Sequence, residues 1–305
     1  MFSTLFSVVV ALVLGHMAPG FAAAVRDYGW YGALLQWLDR RFRDDPFWRG
    51  PWGLLLALAP VVLAVGLLQW AIDDVAFGLP ALLFGVAVVF YGWGPRDLDV
   101  DVAAVVDAPD AASRGEALAR LRPAAAAGAA DAGDEVGRVF VAALRRWFGV
   151  LFWFVVLGAV GALLYRLVAL AAEEEPALYL PAGTVEGARR LLGLLDWPVA
   201  QAMALSLALV GNFDAVVSAW RAAGGAGLRG ATRMLAAAGR AGVRWELDED
   251  AQDAPAAAPA GAVPMASALD APLAQALADA MSLVWRVLLA WLAVLALFVV
   301  AGWVN

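Results

Sequence analysis

The chain has no cysteine, no lysine and one histidine, His16, among its 305 residues. Without thiols there is no disulfide framework, no iron–sulfur cluster, no Cys-ligated zinc and no thiolate nucleophile. A single histidine supports neither a His-based metal triad nor a Ser-His-Asp relay. Charged side chains are scarce, at 16 % of residues, and they separate long uncharged runs. The net charge of −7 lacks the dense basic patch of a nucleic-acid binder, so no nucleic-acid partner is expected. Phosphate-loop, serine-hydrolase-elbow and zincin motifs are absent as well. No cofactor and no metal are assigned.

What remains is apolar. Hydrophobic residues make up 63 % of the chain and the mean hydropathy is +0.76, against about 45–50 % apolar residues in globular proteins. A lipid bilayer is the solvent this composition fits. Peptide groups in hydrocarbon must be satisfied within the chain, so runs of about 20 apolar residues are expected to be helices crossing a core of about 30 Å. The expected fold class is an all-α polytopic membrane protein with five or six transmembrane helices and cytoplasmic helical segments.

The spans expected are 51–72 and 75–93, without a charge, 147–172, and 283–304 near the C-terminus. Trp52, Trp70, Trp93 and Trp303 sit where interfacial aromatics belong. The run 195–213 is interrupted by Asp196, Gln201, Ser206 and Asn212, and reads as a span, a re-entrant segment or an interfacial helix. In the N-terminal run 1–25, Gly15, His16, Pro19 and Gly20 leave room for only a short apolar helix. Ala22 and Ala24 resemble a small-residue cleavage site, but the basic flank of a signal peptide is missing.

Arginine placement orients the spans. Five arginines lie between Arg26 and Arg49 and seven between Arg96 and Arg146, whereas the connection Asp73-Asp74 has none. The positive-inside rule puts the two basic segments in the cytoplasm. A crossing by 195–213 also returns the five arginines from Arg221 to Arg244 to that side.

Between the spans, Tyr31, Leu34, Leu35, Leu38 and Phe42 share one face of an amphipathic surface helix within 26–44, which Asp44-Asp45-Pro46 ends. Leu98, Val100 and Val102 alternate with Asp97, Asp99 and Asp101, a pattern of a short strand or an irregular loop. A helix is expected over 113–122 and a loop over 123–133. Asp134 and Glu135 then start a helix that runs into the span at 147. The resulting segments are 1–93, 94–146, 147–213, 214–264 (ending in an acidic Ala/Pro linker from Asp248) and 265–305.

An ionisable group at membrane depth costs several kcal/mol and marks a candidate site. Arg166 is the foremost, expected to pair with a carboxylate such as Asp196 or to hold a headgroup or phosphate. Asp196, Asn212 and Asp214 bracket the interrupted run, and Asp196 before Trp197-Pro198 also has the form of a helix N-cap. Arg286 lies close enough to its helix start to snorkel. His16 reads as a packing residue. The three aspartates at 97, 99 and 101 offer oxygen ligands but lack the glycine and distal glutamate of a calcium loop.

Several segments carry a family resemblance: Arg145-Arg146-Trp147-Phe148 leading into Leu151-Phe152-Trp153-Phe154, then Gly161-Ala162-Leu163-Leu164-Tyr165-Arg166, Leu194-Leu195-Asp196-Trp197-Pro198-Val199, Leu209-Val210-Gly211-Asn212-Phe213 and Ala219-Trp220. Together they resemble the AmpE family over nearly the whole chain. The resemblance implies a bacterial inner-membrane protein acting in β-lactamase induction, with cell-wall-recycling components or a small anionic ligand as partner. AmpE proteins are similar in turn to the CobD and CbiB membrane synthases, which join an amine to a carboxyl. The stretch Gly137 to Leu144 departs from the synthase pattern, having neither Glu nor Asn.

Overall fold

The computed structural model describes residues 2–17, 26–72, 78–94, 97–121, 134–228, 230–253 and 265–301, and among them every regular element is a helix. Among the described residues four helical stretches, Leu54–Ile72, Glu135–Leu157, Ala182–Val210 and Leu273–Val300, are long and apolar enough to cross a membrane.

Helix α1 (Phe2–Met17) packs along α5 (Leu79–Gly92), where Ser7 donates to the Leu82 carbonyl at 3.1 Å. The surface helix α2 (Gly29–Phe42) follows its apolar pattern, burying Tyr31, Leu35 and Leu38. It stops where expected, and the Asp45 carboxylate accepts from the Phe47 amide at 2.7 Å to cap α3 (Pro46–Arg49). Helix α4 (Leu54–Ile72) buries only Leu54, Ala57 and Leu58, leaving Leu63, Leu67 and Trp70 exposed by 63–80 %. Apolar surface on that scale belongs against lipid tails. The expected run 75–93 yields a helix of 14 residues, α5, too short by itself for a full crossing, and 73–77 lie outside the described residues.

The stretch with alternating aspartates is neither strand nor loop. It forms α6 (Leu98–Val106), whose Leu98, Val102 and Val105 are buried. Their spacing of four and three is helical, and packing against neighbouring helices selects it over the period of two. Helix α7 (Ala111–Arg120) follows, capped by Asp110, and the expected loop 123–133 lies outside the described residues. Asp134 caps α8 (Glu135–Ala143) through the Gly137 amide at 2.9 Å, as its position suggested.

The largest departure from the sequence reading is at 147–172. A π-helical turn (Leu144–Phe148) leads into α9 (Gly149–Leu157), which ends at Gly158 with φ +67°, and α10 (Ala159–Glu173) folds back against α9. A left-handed conformation there suits glycine alone, and a Cβ would meet the Gln69 side chain at 2.6 Å. Gln69 Oε1 accepts from the Val160 amide at 3.2 Å, satisfying a donor that the broken helix leaves free. The run is therefore a helical hairpin and not one span. Its returning arm α10 is the most enclosed element of the bundle, with twelve buried residues including Tyr165 and Arg166.

After a 3-10 turn (Glu175–Tyr179), α11 (Ala182–Val210) begins fourteen positions before Asp196, so Asp196 lies inside the helix and is no N-cap. Pro198 is accommodated because it removes only one helical donor, and the Trp153 indole donates to the neighbouring Leu195 carbonyl at 3.2 Å. At its start α11 meets the end of α3 backbone to backbone. A Cβ on Gly183 or Gly187 would run into the carbonyls of Arg49 or Pro51, and Thr184 donates to the Trp48 carbonyl. Helices α12 (Phe213–Ala222) and α13 (Ala231–Asp253) then pack on α11, and Arg240 of α13 pairs with Asp134 at the head of α8. The acidic linker starts later than expected, since α13 persists to Asp253, and 254–264 lie outside the described residues. The last helix, α14 (Met265–Val300), joins α11 through a Trp291 to Ser206 hydrogen bond of 2.9 Å.

Candidate functional site

The ionisable groups of the interior gather around the π-turn and α10. Arg145, in the π-turn, donates from Nε to Asp196 Oδ2 at 2.8 Å and from Nη1 to Glu173. Tyr165, the residue before Arg166 on the returning arm α10, donates its hydroxyl to Asp196 Oδ1 at 2.8 Å. Asp196 and Tyr165 are wholly buried. Each oxygen of Asp196 thus has a donor, one of them cationic, which is the condition for a carboxylate to persist away from water. Gly149 makes this approach possible, because a Cβ there would run into the Tyr165 ring.

Arg166 faces elsewhere. Consecutive residues of a helix diverge by about 100°, so while Tyr165 turns to Asp196, Arg166 lies over the Tyr28 ring at 5.0 Å and 2.9 Å from Glu174 Oε1. The expected Arg166–Asp196 pair does not form. Arg166 is only 1 % exposed, and its Nε and Nη2 have no aligned hydrogen-bond acceptor among the described residues, so the contact with Glu174 is an ion pair by distance alone.

A second arginine shares this place. Arg26 donates from Nε to the Phe90 carbonyl at 3.0 Å and from Nη1 to the Gly94 carbonyl at 3.3 Å, with its guanidinium 5.0 Å from the Phe90 ring. Its Nη2 is buried without an acceptor among the described residues. The Tyr28 hydroxyl donates to the Tyr91 carbonyl in the same turn, and the two rings sit 4.8 Å apart. Burial lowers the Arg26 pKa from its ordinary value, opposed by Tyr28 and Asp97, while the positive charge of Arg166 acts with burial. Burial likewise raises the Tyr28 hydroxyl, against the pull of Arg166.

The third group lies at the other side of the π-turn. Arg146 binds Asp101 Oδ2 at 2.7 Å and the Arg120 carbonyl at 3.1 Å. Asp99 accepts from the Trp285 indole at 3.0 Å, beside the ring series Trp93, Trp147 and Trp285. Asp99 and Asp101 therefore point to different partners, while Asp97 acts by its charge on Arg26. Among the described residues no set of three His, Cys, Asp or Glu is arranged to hold a metal.

The remaining candidates are structural. Asn212 Oδ1 accepts from the Ala215 amide at 2.8 Å as the N-cap of α12, and exposed Asp214 stands in the first turn of that helix, favourable to its dipole. Both lie roughly 20 Å along α11 from Asp196. Arg286 pairs with Glu246 at 2.6 Å with its side chain half exposed. The side chain of His16 lies outside the described residues.

Sequence reasoning missed Arg26, Arg145, Glu173 and Glu174 as site residues and treated Tyr165 only as a neighbour of Arg166. The doublet Arg145-Arg146 served as an orientation marker, although its place directly before an apolar run was itself a signal of charges carried into the bundle. Comparison of the chain with protein-family models, with curated proteins and with solved structures finds no match.

Proposed function

We infer that the chain is a multi-pass protein of a bacterial inner membrane, acting as a regulator in β-lactamase induction and cell-wall recycling in the manner of AmpE proteins. One observation carries this reading. Arg145, Tyr165 and Asp196 come from three separate segments of the AmpE resemblance, up to 51 positions apart, yet they form one buried network. Residues that share a resemblance and also share an interaction have a common task. The network ties the π-turn, the hairpin arm α10 and α11 together, so a rearrangement of one element is felt by the other two. π-turns inside α-helices recur at functional sites, and this one aims two arginines into different networks.

The test is genetic. Deleting the gene in its host should change β-lactamase induction by a β-lactam inducer, and a plasmid copy should restore it. Arg145→Ala, expressed and inserted at normal level, should fail to restore, whereas Asn212→Ala should succeed. Induction identical in the presence and absence of the gene, across inducers, would contradict the regulatory reading.

A further inference from the structure

We propose that Arg26 and Arg166 form an anion-binding site in which Glu174 is an internal stand-in for the oxyanion, a phosphate or carboxylate, of a ligand. The inference goes beyond the regulatory reading and stands without it. Two guanidinium groups, 7 % and 1 % exposed, converge around Tyr28 and the last turn of α5. Arginine stays protonated in proteins, so both charges persist there. Three of their nitrogens, Arg26 Nη2 and Arg166 Nε and Nη2, are buried and lack an aligned acceptor among the described residues. A buried donor without an acceptor is costly, the more so on a charged group, and such orphans mark places where a ligand, ion or water completes the structure.

Glu174 supplies the way in. Its side chain is 31 % exposed while its partner Arg166 is 1 % exposed, so the pair reaches from the surface to the interior. Glu174 sits with extended backbone between α10 and the 3-10 turn, its amide donating to the Leu170 carbonyl at 3.2 Å and its carbonyl accepting from the Ala177 amide at 2.9 Å. Its carboxylate sits at 2.9 Å from Nη2 without the alignment of a good hydrogen bond. An oxyanion entering along that path can use Nε and Nη2 of Arg166 in the forked geometry arginine favours, and Arg26 Nη2 besides. The Asp97 carboxylate, which acts on Arg26, sets a limit on the negative charge the site accepts. Two sources offer this chemistry: the headgroup of an anionic phospholipid and a soluble phosphate or carboxylate.

The experiment uses the full chain purified in mild detergent and follows its thermal unfolding. Inorganic phosphate and dihexanoyl-phosphatidylglycerol are titrated, with chloride at equal ionic strength and dihexanoyl-phosphatidylcholine as controls. At least one of the two probes should raise the melting temperature saturably where its control does not. Phosphatidylglycerol acting at more than tenfold lower concentration than phosphate identifies a headgroup site, and equal or weaker action identifies a soluble ligand. Arg166→Gln and Arg26→Gln should each weaken the effect at least tenfold. Glu174→Gln, a change at a partly exposed residue, should strengthen it severalfold by removing the competing carboxylate, an outcome that a merely structural pair would not give. The proposal is overturned by no shift beyond the controls, or by a Glu174→Gln variant that binds no more tightly than the unsubstituted protein.

Discussion

Arg145 and Arg146, adjacent in the chain, leave one π-turn toward different carboxylates: Arg145 reaches Asp196 at 2.8 Å and Arg146 reaches Asp101 at 2.7 Å. Both carboxylates are fully buried, and they stand on different helices, 95 positions apart in the sequence. The turn is therefore the hinge pin between α6 on one side and α10 with α11 on the other.

Breaking either pair strands a buried charge. Arg145→Ala should destabilise the protein by about 3–5 kcal/mol, because Asp196 is left with the Tyr165 hydroxyl alone. The double change Arg145→Met with Asp196→Leu should cost much less, since the one carboxylate left behind, Glu173, is partly exposed to solvent. Denaturant unfolding in detergent micelles gives both numbers, and a double variant that costs the sum of the two single changes would show that the charges are not coupled.

The hairpin makes a claim about sidedness. Ala103 on α6 and Glu175 beyond α10 are both exposed and are tied to the two arginines of the π-turn through Asp101 and Glu173. Because the chain has no cysteine, single Ala103→Cys and Glu175→Cys variants report without background. An impermeant maleimide should modify both from the same face of sealed vesicles. Labelling from opposite faces would mean that residues 149–173 cross after all.

Close packing of α9 on α10 rests on Gly149. Gly149→Ala drives a methyl into the Tyr165 ring and should cost about 1–3 kcal/mol. In a Tyr165→Leu background the same change should cost clearly less, which a four-member set of melting curves can decide.

Asn212 is expected to matter for stability only. Removing the α12 cap with Asn212→Ala should cost about 0.5–2 kcal/mol and leave the response of the anion site to phosphate or phosphatidylglycerol unchanged. A loss of that response would move Asn212 from cap to ligand-binding residue.

Helix α7 should carry a pH-dependent start. The Ser113 amide, hydrogen-bonded to Asp110 at 2.7 Å, holds the Asp110 carboxyl below its ordinary value. A lowered carboxyl contributes stability above its unfolded pKa and loses it as pH falls through the folded value. Exchange of the Ser113 amide should therefore quicken, relative to its intrinsic rate, on acidification below that range. Asp110→Asn should abolish the pH dependence.

Local signals made much of the fold legible in the sequence. The stripe Tyr31, Leu35 and Leu38 drew α2, the proline after Asp45 ended it, and Asp134 announced α8. The hairpin was not legible, because Gly158 is one glycine in a uniformly apolar run and the Gln69 side chain that receives it lies 89 positions earlier. Asp196 was misread as a cap because Pro198 follows it, yet packing carries α11 through the proline. Arg166 stood out correctly as a buried charge. Its partners did not, since the acidic triplet Glu173-Glu174-Glu175 before Pro176 reads as the close of a span, and Tyr28 and Arg26 lie about 140 positions away.

The glycine seam between α3 and α11 has a mechanical consequence. With no side chains at Gly183 and Gly187 to yield, two main chains bear directly on each other, and Thr184 fastens them at the Trp48 carbonyl. Trp48 in turn donates its indole to Asp39 of the surface helix at 3.1 Å. A tilt of α11 cannot be absorbed at this joint and displaces α2 along with it, so the surface helix and the buried Asp196 behave as the two ends of one stiff lever.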